Sequence, residues 1–147
     1  MVNLSFNASF ATGEDWRSVL TKCLENQGNE PQGINFGFHY ITYPLAPYLN
    51  QLLDELRTQT GVNDWIGTVG AGICYTGTEI YDEPAAAIMM TTLPEDSYRL
   101  VPAGIDALTD MLAQTRDWIA EQAVHFGIVH GDPRNTHIAQ LIESLSA

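Results

Sequence analysis

The chain reads as an α/β protein with a mixed, largely parallel sheet of about five to six strands flanked by helices. An antiparallel, hairpin-like pair is expected around residues 64–93. Three observations predict this class. Short apolar runs alternate with helical stripes over residues 3–66, the rhythm of βαβ units. A run with almost no charge, AAAIMMTTL, lies between Pro84 and Pro94 and suits a strand buried on both faces. The link of about a dozen residues before it has no helical period, and parallel neighbours usually need a helical crossover, so antiparallel pairing is expected there.

The elements follow in order. Residues 3–10, NLSFNASF, alternate with period two, setting Leu4, Phe6, Ala8 and Phe10 on one face of a half-buried strand. Thr12 and Asp15 are spaced as a capping box. Trp16, Val19, Leu20, Cys23 and Leu24 then form one helical stripe, and Gly28 suits its stop. Residues 33–41, GINFGFHYI, read as a second strand. Pro44 opens a second helix, where its missing N–H costs nothing. Leu45, Leu49, Leu52, Leu53 and Leu56 mark its buried side, and Gly61 ends it. A short strand at Trp65 and Ile66 leads into a glycine-studded turn with Gly67, Gly70, Gly72 and Gly77. An acidic knot of Glu79, Asp82 and Glu83 precedes the apolar run. Residues 98–103 fit a further edge strand. Ile105 to Ala123 carries the strongest helical period, HFGIVH (125–130) reads as another strand, and Ile138, Leu141, Ile142 and Leu145 mark a last short helix.

The 147 residues suit a single domain with a real core. Eighteen acids against six bases give a net charge of −12, which repels phosphate backbones and anionic lipid surfaces. Nucleic-acid binding and membrane insertion are therefore not expected. The N-terminus lacks the basic flank of a signal peptide, and a cytoplasmic location is the default. Cys23 and Cys74 are too few and too far apart for a disulfide framework or a structural zinc site.

Several motifs fall short of chemistry. Gly67, Gly70 and Gly72 are spaced G-x-x-G-x-G, which is not the dinucleotide fingerprint, and no lysine is near for a phosphate loop. HGDPRN has the wrong spacing for a kinase catalytic loop, and no serine sits in G-x-S-x-G. His125, His130, Asp132 and His137 are dense in ligand types. On a strand, however, His125 and His130 point to opposite faces, which removes the simple chelate. If the strands at 34–41, 64–66 and 125–130 are parallel neighbours, their C-terminal ends bring His39, the Gly67–Gly72 loop and His130 to one sheet edge. Open α/β sheets hold ligands at that edge. A neutral imidazole there can hydrogen-bond a small molecule or ligate a haem iron.

The stretch WIGTVGAGICYTGTEIYDEPAAAIMMTTLP resembles the FIST N-terminal domain, matching at Gly67, Gly72, Ile73, Gly77, Glu79, Glu83-Pro84 and Leu93-Pro94. GINFGFHYI with its leucine-rich helix is similar to the family's second strand and helix, and Asp132-Pro133 to a later segment. Thr68 stands where a cysteine is frequent, and the loop's cysteine is Cys74 instead. The family's N-terminal domain is usually longer and followed by a C-terminal one, so the chain reads as a minimal or truncated version. The resemblance implies a sensory domain that binds a small ligand and reports to a signalling partner such as a histidine kinase. It also implies haem and nitric oxide as ligands, since some members are similar to haem-containing sensors. It implies no enzyme activity. The ligand-facing candidates are His39, Gly67, Gly70, Gly72, Glu79 and His130; His39 and His130, also the candidates for a haem iron, rest on the strand-edge placement alone and not on the resemblance. Two alternatives stay open: a metal-dependent enzyme using His130, Asp132 and His137, and an interaction module whose acidic surface meets a basic partner without a small ligand.

Overall fold

The computed structural model describes residues 5–28, 33–100, 108–122, 124, 126–132, 134–139 and 142–143, without the side chains of 108–114. It divides into two compact units, Met1–Glu95 and Asp96–Ala147.

The first unit holds six strands and two helices. In chain order these are β1 (Phe6–Thr12), α1 (Trp16–Glu25), β2 (Phe36–Thr42), a 3₁₀ turn (Tyr43–Tyr48), α2 (Leu49–Thr60), β3 (Asp64–Gly70), β4 (Gly72–Tyr75), β5 (Thr78–Tyr81) and β6 (Ala85–Thr91). The main sheet has the order β1-β6-β2-β3, and β4 and β5 form a separate two-stranded sheet. The expected largely parallel sheet is corrected here. β6 is antiparallel to both β1 and β2, and among the described residues only β2 and β3 pair in parallel. The chain reaches β6 through a hairpin and a short link without a helical crossover. It therefore enters against the direction of β1 and β2, in the gap between them. The antiparallel partner expected for the Trp65 strand is likewise revised: β6 pairs two strands away from it, and the true hairpin is β4–β5 inside the glycine segment.

Residues in register share a face of the sheet. On one face lie Ser9 and Ala11 of β1, Ala86, Ile88 and Met90 of β6, His39 and Ile41 of β2, and Trp65 and Val69 of β3. The helices cover this face, and its buried core includes Trp16, Val19, Leu20 and Cys23 from α1 and Leu52 and Leu56 from α2. Both helical stripes read from the sequence are thus the buried ones. The face assignment of the first strand is inverted, however. Phe6 and Phe10 lie opposite the helices, where Phe10 packs with Ile73, Ile80, Ala85 and Ala87 beneath the hairpin. β6 is buried on both faces because helices cover one side and this small cluster the other.

Local signals set the ends. The helix-starting capping box is Asp15 with Ser18, one turn later than Thr12 with Asp15. Asp15 accepts from the Ser18 amide at 2.8 Å, and the Ser18 hydroxyl accepts from the Asp15 amide at 3.2 Å. Gly61, at φ 71°, closes α2 in the left-handed conformation. Thr42 is fully buried; its hydroxyl donates to the Glu83 carbonyl at 2.7 Å and accepts from the Ala85 amide at 3.0 Å, tying the end of β2 to the start of β6.

In the second unit, α3 spans Leu108–Gln122, within the helix expected from 105 to 123. The Arg99 guanidinium lies 5.1 Å from the Trp118 ring centroid. Residues 126–130 form no strand, which corrects the expected HFGIVH strand, and Phe126, Ile128 and Val129 are exposed. His125 lies outside the described residues. Residues 98–100 are not a strand either, and 101–103 lie outside the described residues. Of the last expected helix, 138–139 and 142–143 are helical, while Leu141 and Leu145 lie outside the described residues.

Candidate functional site

The one parallel pair ends in register, with Thr42 opposite Gly70. Two connections leave this end. After Thr42 comes the 3₁₀ turn, which begins at the 61% exposed Tyr43. After Gly70 a single residue, Ala71, leads into the hairpin at Gly72. Thr76 and Gly77 form its two-residue turn, and Gly77 at φ 76° supplies the positive dihedral that a type II turn takes at its second central residue.

Alternation along β4 and β5 gives the hairpin two unlike sides. Ile73 and Ile80 face the sheet. Tyr75 joins them, its ring 4.7 Å from that of Phe10 and its hydroxyl donating to the Ala8 carbonyl at 2.9 Å. The outward side carries Gly72 opposite Tyr81 and Cys74 opposite Glu79. The Tyr81 ring crosses Gly72 so closely that a β-carbon there would stand 2.5 Å from its Cδ1. The charge of Glu79, then that of Cys74, raises the Tyr81 phenol above its ordinary range, because a second negative charge beside either is unfavourable. The hairpin therefore presents an exposed phenol, carboxylate and thiol beside the end of the parallel pair.

The expected site residues fall into three places. Gly70, Gly72 and Glu79 lie at this end or on the outward side of the hairpin. His39 and Gly67 do not lie at a strand end. They face each other in the middle of β2 and β3, with His39 only 5% exposed on the helix-covered face and its ring centroid 6.4 Å from that of Trp65. The strand-end placement of His39 is thus corrected: β2 continues three residues past it, to Thr42. His130 belongs to the second unit and is half-buried, and desolvation lowers its pKa, favouring the neutral imidazole at physiological pH.

Of the residues in the enzyme alternative, Asp132 is engaged by Arg134. Asp132 holds Arg134 through both carboxylate oxygens, at 3.0 Å to Nε and 2.8 Å to Nη2. These bonds bring the Asp132 pKa down to about 2. The His137 amide donates to Asn135 Oδ1 at 3.0 Å. Among the described residues no three His, Cys, Asp or Glu side chains are grouped to hold a metal ion.

An open depression of about 300 Å³ lies at the start of α1, lined by Thr12, Gly13, Glu14, Asp15, Ser18, Lys22 and Glu83. Its principal polar groups serve the fold: Asp15 caps the helix, and Lys22 Nζ donates to the Thr12 carbonyl at 3.1 Å. Reading the sequence by motif missed Thr42, Tyr43, Cys74 and Tyr81. The signal for the last two was present, since ICY and TEIY flank a Thr-Gly pair with the alternation of a tight hairpin.

A mixed sheet with helices on one face and a hairpin on the other defines an α/β domain. The chain belongs to the FIST N domain family, whose model matches residues 35–147. This is a family of sensory domains in signal transduction rather than one known for catalysis. Comparison with curated proteins finds no match. Among the described residues no helix is long and apolar enough to cross a membrane.

Proposed function

We propose that the chain is a sensory input domain that binds a small ligand at the C-terminal end of the β2–β3 pair and passes the binding state to a signalling partner such as a histidine kinase. The observation that carries this reading is the Gly70-Ala71-Gly72 turn, which follows the end of the parallel pair and leads into the hairpin strand opposite exposed Tyr81, where an α/β sheet offers its strand ends. Gly72 lets the Tyr81 ring lie across its backbone, Tyr81 supplies a flat apolar surface with a hydroxyl, and Glu79 supplies a charge. A ligand with a planar or apolar body and a cationic or hydrogen-bond-donating group fits those chemistries. Gly67 and His39 stand behind the turn and hold β3 against β2.

A change in ligand occupancy at this end reaches the strand order directly. The Thr42 hydroxyl ties β2 to the Glu83–Ala85 segment that follows the hairpin. Ordering the hairpin is thereby coupled to the start of the central strand β6.

Haem is a second reading, and the two histidines differ in their fit. His39 lies beneath the helices and against Trp65, with no room for a porphyrin face. The half-buried His130, whose pKa desolvation lowers, would hold the iron through its imidazole. Calorimetric titration with a metabolite set and with haem separates the readings. Loss of small-ligand binding in Tyr81→Ala supports the turn. A Soret shift on adding haem that His130→Ala abolishes supports the second reading.

A further inference from the structure

Both ends of the β4–β5 hairpin are seated on one buried residue, Thr42. Where the chain leaves the main sheet, Gly70 stands in register with Thr42 of β2. Where it returns, the Thr42 hydroxyl donates to the Glu83 carbonyl at 2.7 Å and accepts from the Ala85 amide at 3.0 Å. The Gly13 amide fixes the carbonyl between them, that of Pro84, at 3.1 Å. Residues 71–82 therefore span two anchored points. The chain bends beside each: Ala71 is the single residue between β3 and β4, and Asp82 takes the left-handed conformation at φ 59°.

Between those points the hairpin forms its own two-stranded sheet and does not extend the ladder of the main one. Side chains hold it down. Ile73 and Ile80 pack with Phe10, Ala85 and Ala87 in a cluster separate from the main core. Tyr75 adds a ring contact with Phe10 at 4.7 Å and a bond from its hydroxyl to the Ala8 carbonyl at 2.9 Å. A two-stranded hairpin is marginal in water without such packing, whereas the main core draws on both helices and all four strands of the sheet.

We propose that the β4–β5 hairpin is a flap that opens as one unit about Ala71 and Asp82, with Tyr75 as its latch, while the main sheet and its helices stay folded. Opening uncovers the apolar patch of Phe10, Ala85 and Ala87. The Tyr81 ring moves with the flap because it lies across Gly72, whereas Gly70 stays with the sheet. A small ligand touching both Gly70 and Tyr81 favours the closed flap by the difference in its affinity for the two states. That step rests on the ligand-binding reading above; the opening itself does not.

Thiol labelling of the whole chain tests the flap without any ligand. With Cys74→Ser and Ala85→Cys, one fully buried thiol lies under the hairpin, and Cys23 remains as the buried thiol of the main core. In low urea the thiol at position 85 is expected to react about 100-fold or more faster than Cys23, because local opening precedes global unfolding. Its rate should depend only weakly on urea, since little surface is exposed. Tyr75→Phe should speed it a further two- to tenfold or so, the worth of one hydrogen bond, and leave Cys23 unchanged. Equal rates with equal urea dependence at the two thiols overturn the proposal. So does a Tyr75→Phe variant in which both thiols change together or neither changes. Amide hydrogen exchange of the unmodified chain decides the matter even if Ala85→Cys packs poorly. Amides of 72–81 should exchange with weaker urea dependence than those of 86–90, and exchange of both sets in a single step overturns the flap.

Discussion

His39 and Gly67 stand opposite each other on the parallel strands β2 and β3. A β-carbon on Gly67 would run into the His39 backbone carbonyl and lie 2.8 Å from the His39 ring Cγ. The glycine lets the edge strand approach a buried histidine. Gly67→Ala forces β3 away from β2, and a cost of about 1–3 kcal/mol is expected, the usual range for overpacking. Urea denaturation followed by circular dichroism measures it. An alanine variant as stable as the parent would contradict the contact.

Thr42 makes a comparable junction at the other end of the pair. Thr42→Val keeps the shape but leaves the Ala85 amide without its acceptor in a fully buried site. Stability should fall by about 1–3 kcal/mol, the cost of an unsatisfied buried donor. Faster hydrogen exchange at Ala85 in the valine variant would localise the loss.

The two cysteines should differ sharply in reactivity. Cys23 is fully buried, its thiol donates to the Ala86 carbonyl at 3.3 Å, and burial pushes its pKa up to about 12. Cys74 is exposed on the outward side of the hairpin. A thiol reagent at neutral pH should label Cys74 alone in the folded protein and both cysteines after denaturation. Rapid labelling of Cys23 in the native state would contradict the core as described.

Two carboxylates set a distinct acid limb. Asp15 is held below its ordinary pKa chiefly by the Ser18 amide, and Asp132 is brought to about 2 by Arg134. A depressed folded-state pKa contributes stability above the ordinary carboxylate value of about 3.9, and that contribution is lost as pH falls through the folded value. The Asp132 carboxyl should titrate near 2 by carbon-detected NMR, and Arg134→Ala should return it toward 3.8. An unchanged midpoint would mean that the pair does not form in solution.

Much of the fold was legible in the sequence because two signals were unambiguous. The stripe Trp16, Val19, Leu20, Cys23 had only one helical face to bury, and AAAIMMT lacked a polar side altogether, as a central strand must. Strand order was not legible. The apolar run β6 matched β1, β2 and β3 equally well in composition, and only the hairpin's return path decides that it enters between β1 and β2. The inverted face of β1 has a similar cause: Phe6 and Phe10 are the larger residues, yet the smaller Ser9 and Ala11 fit under α1. The site was half legible. Gly70 and Gly72 announced a close approach, whereas His39 was read as an edge residue although it stands three residues before the strand's end at Thr42.

Ligand sensing by this domain requires that the Gly70–Gly72 end receive a small molecule. Native mass spectrometry of the gently purified chain, beside Tyr81→Ala, measures this most directly. A reproducible non-covalent mass is expected on the parent protein, released by mild activation and missing from Tyr81→Ala. A bare polypeptide mass in both, with no mass gained on incubation with a metabolite extract, would contradict it.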